Sequence, residues 1–96
     1  MKNYSVYIHT FPNDKKYIGI TRTNPLRRWG HNGNGYRHQL RLYNAICKYG
    51  WNNIEHTILY YDLSKKQAEE KEIELISLYK TTNNKYGYNI EKRWKL

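Results

Sequence analysis

Alternation of apolar and polar positions is clearest at the start of the chain. Tyr4-Ser5-Val6-Tyr7-Ile8-His9-Thr10-Phe11 and Lys16-Tyr17-Ile18-Gly19-Ile20-Thr21 both read as strands, and Pro12-Asn13-Asp14 between them is turn chemistry. Together they predict a β-hairpin. Val6 and Ile8 must meet the same core as Ile18 and Ile20, and a side-chain period of two then fixes the register to within an even number of residues. Tyr7, His9, Tyr17 and Thr21 share the opposite face, with Gly19 among them. The missing side chain at Gly19 leaves room for a backbone or a ligand to approach. Two readings of that face stand side by side: half-buried sheet tyrosines of the ordinary kind, or a functional cluster of phenols, imidazole and hydroxyl.

Further along, Asn24-Pro25 predicts a helix start, with Asn24 as N-cap and Pro25 at the first helical position. This helix is short and ends near Gly30. The run Gly30-His31-Asn32-Gly33-Asn34-Gly35 reads as a flexible loop. A second helix is expected from about Arg37 to Tyr49, stopped by Gly50. Ile54 to Leu63 is strand-like and is expected to supply a third strand. Ser64-Lys65-Lys66-Gln67 fits a capping box that opens a third helix running to about Lys80. Thr81 to Leu96 is turn-rich, and the chain shows no repeat and no long linker.

Composition narrows the class. A chain of 96 residues is expected to form one domain over residues 1–96. It has no apolar run of membrane-spanning length and no signal-peptide pattern, so the expectation is a soluble, intracellular protein, cytoplasmic or nucleoid-associated, without a membrane partner. The single cysteine, Cys47, excludes an intrachain disulfide and a cysteine-rich zinc site. It falls within the second helix's apolar pattern and is expected to be a buried, inert thiol. The formal net charge is +9, and its distribution matters more than its size. From Lys15 to Ile54 there are eight Lys or Arg residues and no Asp or Glu. Arg22, Arg27, Arg28, Arg37 and Arg41 all lie there, with His31 and His38. Such a gathering of guanidinium forks suggests a polyanion-binding face suited to phosphate, and a generally basic, solvated surface is the plainer alternative. An AT-biased coding sequence explains many of the lysines and tyrosines, but not arginines collected where acids are absent.

One carboxylate is out of place. At about 100° per residue, Ala68, Leu75, Ile76 and Tyr79 form one apolar stripe on the third helix, and Glu72 falls in its middle. Glu69 lies at the margin, while Glu70 and Glu74 point away. A carboxylate turned toward a core needs an ion pair, hydrogen bonds or a cation. A salt bridge or a side chain reaching the rim is one account; a metal ligand or an acid-base group is the other. The four histidines form no two-histidine metal motif.

In order along the chain, these residues resemble the GIY-YIG nuclease family. Tyr17-Ile18-Gly19 matches the second tripeptide in full, and Ser5-Val6-Tyr7 matches the first in its tyrosine and conservatively in Val6. Arg27-Arg28-Trp29 resembles the helix carrying an arginine before an aromatic, which nominates Arg28. Lys48-Tyr49-Gly50 matches a recurrent helix stop, Glu72 with Ile76 fits the glutamate of the third helix, and Gly87-Tyr88-Asn89 matches the terminal Gly-Tyr-Asn. The ordered set spans residues 4 to 90. Two departures accompany it. Ser5 stands for the first glycine, and His31 follows Arg28 by three residues where many members place a histidine at four, the position of Asn32 here.

The resemblance implies an α+β fold, a small three-stranded antiparallel sheet flanked by helices. It also implies a metal-dependent DNA endonuclease that hydrolyses phosphodiester bonds by in-line attack of water. Its catalytic set would be Tyr7, Tyr17, Arg28, Glu72 and Asn89. Glu72 would hold one Mg²⁺ (or Mn²⁺) together with phosphate oxygens and waters. Tyr7 would be general base with Tyr17 orienting or sharing that task, Arg28 would offset transition-state charge, and Asn89 would position the site. His9, Gly19 and Arg22 are secondary candidates, and Arg22, Arg27, His31, Arg37 and Arg41 are expected to contact DNA. One metal and one base would nick one strand per event. A separate or attached DNA-binding module is an expected partner, and the domain alone is expected to be a monomer. A second class is a non-catalytic nucleic-acid-binding module that stacks and neutralises without cutting. Such a module has no use for Glu72 on an apolar face together with Tyr7, Tyr17, Arg28 and Asn89.

Overall fold

The N-terminal alternation folds into two antiparallel strands, β1 (Tyr4–Thr10) and β2 (Lys16–Thr21), with Tyr7 opposite Gly19, Ile8 opposite Ile18 and His9 opposite Tyr17. A computed structural model describes residues 3–90 of the chain. The hairpin turn closes through Asp14 N–H donating to the Phe11 carbonyl at 2.8 Å. Asp14 itself takes a left-handed conformation (φ 69°), which aspartate tolerates better than most residues. A third strand, β3 (Glu55–Leu63), pairs antiparallel with the other edge of β1, giving the order β2-β1-β3. The structure is therefore a three-stranded antiparallel sheet with helices packed around it.

β1 is the central strand, and both of its faces are covered. Val6 and Ile8, with Ile18 of β2, pack against Ala68, Leu75 and Ile76 of α3 (Lys65–Tyr79). On the other side Tyr7, Phe11 and Tyr17 join Trp29, Tyr36, Leu42, Ile46 and Tyr88. The capping box of α3 is formed: the Ser64 hydroxyl accepts from Gln67 N–H at 3.1 Å and the Gln67 side chain accepts from Ser64 N–H at 2.9 Å. The helix ends at Tyr79, with left-handed Lys80 as its C-cap.

Between sheet and helices the structure departs from the sequence reading at three points. Helix α1 (Pro25–Trp29) starts as expected, Asn24 Oδ1 accepting from Leu26 N–H at 2.9 Å. The glycine-rich run after it is no loose loop but a 3₁₀ segment (His31–Tyr36), broken at Asn32 and Gly33, whose φ values are positive. A Cβ on Gly33 would lie 2.6 Å from the Trp51 ring, so this turn packs directly on an indole, which holds it in place. Helix α2 (Leu40–Tyr49) accordingly begins three residues later than expected. Cys47 is exposed, not buried. Leu42, Ala45 and Ile46 occupy the buried arc of α2, and the next residue, turned by about 100°, leaves it.

The open edge of β2 is closed by the segment after α3. Lys16 N–H donates to the Tyr86 carbonyl and Tyr88 N–H donates to the Lys16 carbonyl, both at 3.0 Å. Asn89 then continues the ladder with its side chain: Oδ1 accepts from Ile18 N–H at 2.9 Å and Nδ2 donates to the Ile18 carbonyl at 2.8 Å. Among the described residues no helix is long and apolar enough to cross a membrane. Replacing Asn89 by Ala orphans both Ile18 backbone groups at a buried edge. At about 1 kcal/mol per lost hydrogen bond, the variant should be about 2 kcal/mol less stable and melt about 8–16 °C lower. An unchanged melting temperature would show that the clamp contributes nothing to the fold.

Candidate active site

A cleft of about 450 Å³ opens beside β2, lined by Tyr7, Tyr17, Ile20, Arg28, Gln39, Asn89 and Ile90. Four residues nominated from sequence, Tyr7, Tyr17, Arg28 and Asn89, are thus brought to one concavity from β1, β2, α1 and the segment after α3. The position of Tyr7 depends on its cross-strand neighbour. A Cβ on Gly19 would fall 2.5 Å from the Tyr7 hydroxyl oxygen, so the space left by the glycine is filled by the Tyr7 ring rather than by a ligand. Arg28 is fixed from two sides: it donates to the Gly35 carbonyl at 2.9 Å, and its guanidinium carbon lies 4.8 Å from the centre of the Tyr36 ring.

Behind Tyr7 runs a chain of buried hydrogen bonds. The Tyr36 hydroxyl donates to the Tyr7 hydroxyl at 3.1 Å. His9 Nε2 lies 2.8 Å from the Tyr36 hydroxyl. His9 Nδ1 lies 2.8 Å from His56 Nδ1, and His56 Nε2 donates to the Trp51 carbonyl at 2.9 Å. His9 and Tyr36 are fully buried. Trp29 meets the His9 ring edge-on at 4.9 Å and Trp51 stacks on His56 at 3.8 Å between centres. Burial holds the imidazole of His9 well below its usual pKa, reinforced by His56 and Arg28. His56 is lowered too, again by burial, with the Trp51 carbonyl opposing. The same desolvation, with Tyr7 and Tyr17 beside it, pushes the Tyr36 phenol far up, against the pull of Arg28.

Glu72 is 3 % exposed and lies on the α3 stripe expected for it. It is not among the cleft-lining residues. The even-numbered side chains of the hairpin face α3 and the odd-numbered ones face the aromatic cluster, so Glu72 and Tyr7 sit on opposite sides of the sheet. Ile20, which packs with the α3 side, nevertheless lines the cleft, so the cleft bends around the β2 edge. Among the described residues no group of three or more His, Cys, Asp or Glu side chains is placed to enclose a metal ion. A single carboxylate, completed by phosphate oxygens and waters, is the donor set magnesium commonly uses. Glu72 offers one carboxylate of that kind, and among the described residues no cage of several such side chains surrounds it.

Of the residues expected to touch DNA, Arg22, Arg27, Arg37 and Arg41 are all exposed. Two of them also serve the fold, Arg37 donating to the Asn34 carbonyl at 3.1 Å and Arg41 to the Gly87 carbonyl at 3.3 Å. His31 is exposed and lies 3.2 Å from the Asn32 side chain; it is not part of the cleft lining. Arg22 borders a shallower pocket with Ser5, Asn24 and Tyr61.

The family profile of the GIY-YIG catalytic domain matches residues 3–89. The chain belongs to the GIY-YIG family. Comparison with curated proteins and with solved structures returned no match. Membership makes this a domain of nuclease type.

Sequence reasoning missed Tyr36, Trp51, His56 and Gln39. His56 stands directly opposite His9 in the β1–β3 register, and that register could not be read without knowing how β3 docks. Tyr36 falls between the glycine-rich run 30–35 and the helix expected from Arg37, where no periodicity marks it as buried.

Two outcomes follow for this GIY-YIG domain. Gly19→Ala should displace the Tyr7 ring and lower cleavage at least tenfold while the fold survives, because the backbone at that position is compatible with alanine; full activity would mean that Tyr7's position is unimportant. His9 and His56 have folded-state pKa values below the unfolded value of about 6.5. Their contribution to stability is therefore present above that pH and lost as pH falls through it. Melting temperature should decline from pH 7 to pH 5, and a flat profile over that range would contradict neutral burial of the pair.

Proposed function

We propose that this domain is a DNA endonuclease that hydrolyses a phosphodiester bond with the help of one divalent ion and nicks one strand per binding event. The observation that carries the reading is the convergence of Tyr7, Tyr17, Arg28 and Asn89 on one cleft from distant parts of a GIY-YIG chain. Exposed Arg22, Arg27, Arg37 and Arg41 would neutralise DNA phosphates on approach. A water in line with the scissile bond attacks phosphorus while its proton passes to the Tyr7 oxygen, as phenolate or as that hydroxyl gives up its own proton. The bond to the leaving oxygen breaks on the far side, and that oxygen takes a proton from solvent. Tyr17 orients the attacking water, and Arg28 offsets the charge that accumulates on the phosphoryl oxygens. Asn89 acts by holding the β2 edge at the cleft wall. Glu72 would hold Mg²⁺ or Mn²⁺ together with phosphate oxygens, and the ion would supply Lewis-acid neutralisation of the developing charge.

Nicking is favoured because the two scissile phosphates of a duplex have opposite polarity and one cleft fits one of them. A double-strand break would take a second copy or a reorientation, and a partner DNA-binding module would supply sequence preference. The non-catalytic alternative accounts for the exposed arginines but not for a phenol seated on a glycine beside a half-buried arginine.

Supercoiled plasmid incubated with Mg²⁺ should give open circles before linear DNA, and chelator should stop the reaction. Glu72→Gln removes the charge with little change of shape, so cleavage should fall at least a hundredfold while metal-free DNA affinity persists. Near-wild-type cleavage by that variant would reduce Glu72 to a structural role, and cleavage unaffected by chelator would remove the metal from the reading.

A further inference from the structure

A phenol is an awkward base at neutral pH. Free tyrosine titrates near pH 10, so about one molecule in a thousand is ionised at pH 7. A neutral Tyr7 can still accept a proton from water if it gives up its own at the same moment, and that requires an acceptor behind it. The structure has one. The spacings from Tyr7 to Tyr36, Tyr36 to His9 and His9 to His56 are 3.1, 2.8 and 2.8 Å, each a hydrogen bond. The last of these, between two ring nitrogens, holds a single proton.

We propose that Tyr36, His9 and His56 form a proton relay that draws the proton away from Tyr7 and delivers it to solvent at the β3 edge of the sheet. The inference rests on the nuclease reading above, in which Tyr7 receives the proton of the attacking water.

The direction of the chain is set at its far end. The Trp51 carbonyl can only accept, so His56 Nε2 carries a proton. With His56 neutral, its Nδ1 is then an acceptor and must receive Nδ1–H of His9. His9 Nε2 is in turn bare and receives the Tyr36 hydroxyl, leaving the Tyr36 oxygen to accept from Tyr7. Every donor in this resting order points away from the cleft. When the water's proton reaches Tyr7, one proton moves across each bond: Tyr7 to Tyr36, Tyr36 to His9 Nε2, and His9 Nδ1 to His56 Nδ1. Tyr7, Tyr36 and His9 end as neutral as they began, and the positive charge appears on His56. In the resulting order Tyr36 donates to Tyr7, the orientation the structure displays. Phenol hydrogens rotate, so Tyr36 has access to both orders.

The surroundings suit this traffic. Around His9 stand Tyr7 from β1, Tyr17 from β2, Arg28 from α1, Tyr36 from the 3₁₀ segment and His56 from β3. None of these is a carboxylate that would trap a proton midway. Burial keeps Tyr36 protonated and His9 neutral between transfers. His56 is the half-buried member of the chain, placed to pass the proton to bulk water. Release of the extra His56 proton to solvent leaves His9 protonated on Nε2. Return to the resting order requires His9 to exchange that proton for one on Nδ1 during local opening to solvent, with the Tyr36 hydroxyl rotating back toward it. Tyr36, His9 and His56 act through Tyr7 and touch no reacting atom.

The test is the pH profile of single-turnover plasmid nicking, measured for wild-type protein, His56→Asn and His56→Ala. Asparagine keeps an acceptor for His9 Nδ1–H but cannot take up a proton. With the relay, wild-type nicking is level between about pH 7 and pH 9, because His56 is already neutral there. His56→Asn should be slower at pH 7 by about a hundredfold and should climb about tenfold per pH unit, since Tyr7 must now ionise by itself. Added imidazole should restore His56→Ala in proportion to its concentration. Nitrogen-15 spectra of the free wild-type protein supply a readout apart from cleavage, with His9 protonated on Nδ1 and His56 on Nε2 at pH 8. A wild-type rate climbing tenfold per unit, variants running parallel to wild type, or His9 protonated on Nε2 at pH 8 would each overturn the relay while leaving the nuclease reading intact. Absence of any Mg²⁺-dependent nicking by wild-type protein would overturn both.

Discussion

Burying a histidine and a tyrosine on one face of a central strand is tolerable only when their polar atoms find partners, because an unpaired buried donor or acceptor costs about 1–3 kcal/mol. That constraint shapes half of this molecule. β1 must be covered on both sides, and the side bearing Tyr7 and His9 cannot be closed by aliphatic residues alone. The 3₁₀ segment supplies Tyr36, β3 supplies His56, and the Trp51 carbonyl ends the series. Each partner comes from a different element, so the hydrogen bonds that satisfy β1 also fix how those elements dock. The indoles of Trp29 and Trp51 fill the remaining space around the His9 ring and keep water away from the chain.

The other face of β1 solves a simpler problem. Val6, Ile8 and Ile18 meet Ala68, Leu75 and Ile76, and packing is enough. This division explains why the sequence was most informative where periodicity alone decides the structure. The hairpin register, the capping box at Ser64 and the inward position of Glu72 all follow from local chemistry or a repeat of fixed length, and each appears where the pattern places it. The aromatic side was far less legible. Tyr36 directly follows a run whose glycines and asparagines look like a loop, yet Gly33 is there so that the turn can lie against Trp51. Cys47 was misjudged for a related reason: an apolar pattern on a short helix does not say where its buried arc ends.

Asn89 shows how a short polar side chain can stand in for a strand. Its amide reproduces the pair of hydrogen bonds a neighbouring backbone would have made to Ile18, and it also borders the cleft. With both amide atoms engaged in this way, its part in the site is to set the position of the β2 edge. The edge strand is thereby protected from pairing with other chains, and the cleft gains a wall whose position is tied to the same residue, Ile18, that packs beneath α3.

The sheet separates two kinds of charge chemistry. On one side Glu72 is buried beside the aliphatic residues of α3, where a carboxylate needs an ion pair, hydrogen bonds or a cation. On the other, Tyr7 leads into a chain of hydrogen-bonded groups, Tyr36, His9 and His56. A base on the same side as the carboxylate would share one crowded space with it, and each would perturb the other's titration. The sheet keeps them apart, and the two sides approach one another only where the cleft bends around β2 at Ile20. Arg28 occupies that meeting ground. It is pinned to the Gly35 carbonyl and stacked on Tyr36, so the cation that lines the cleft also rests on the second member of the hydrogen-bonded chain, and a shift of either would be felt by both.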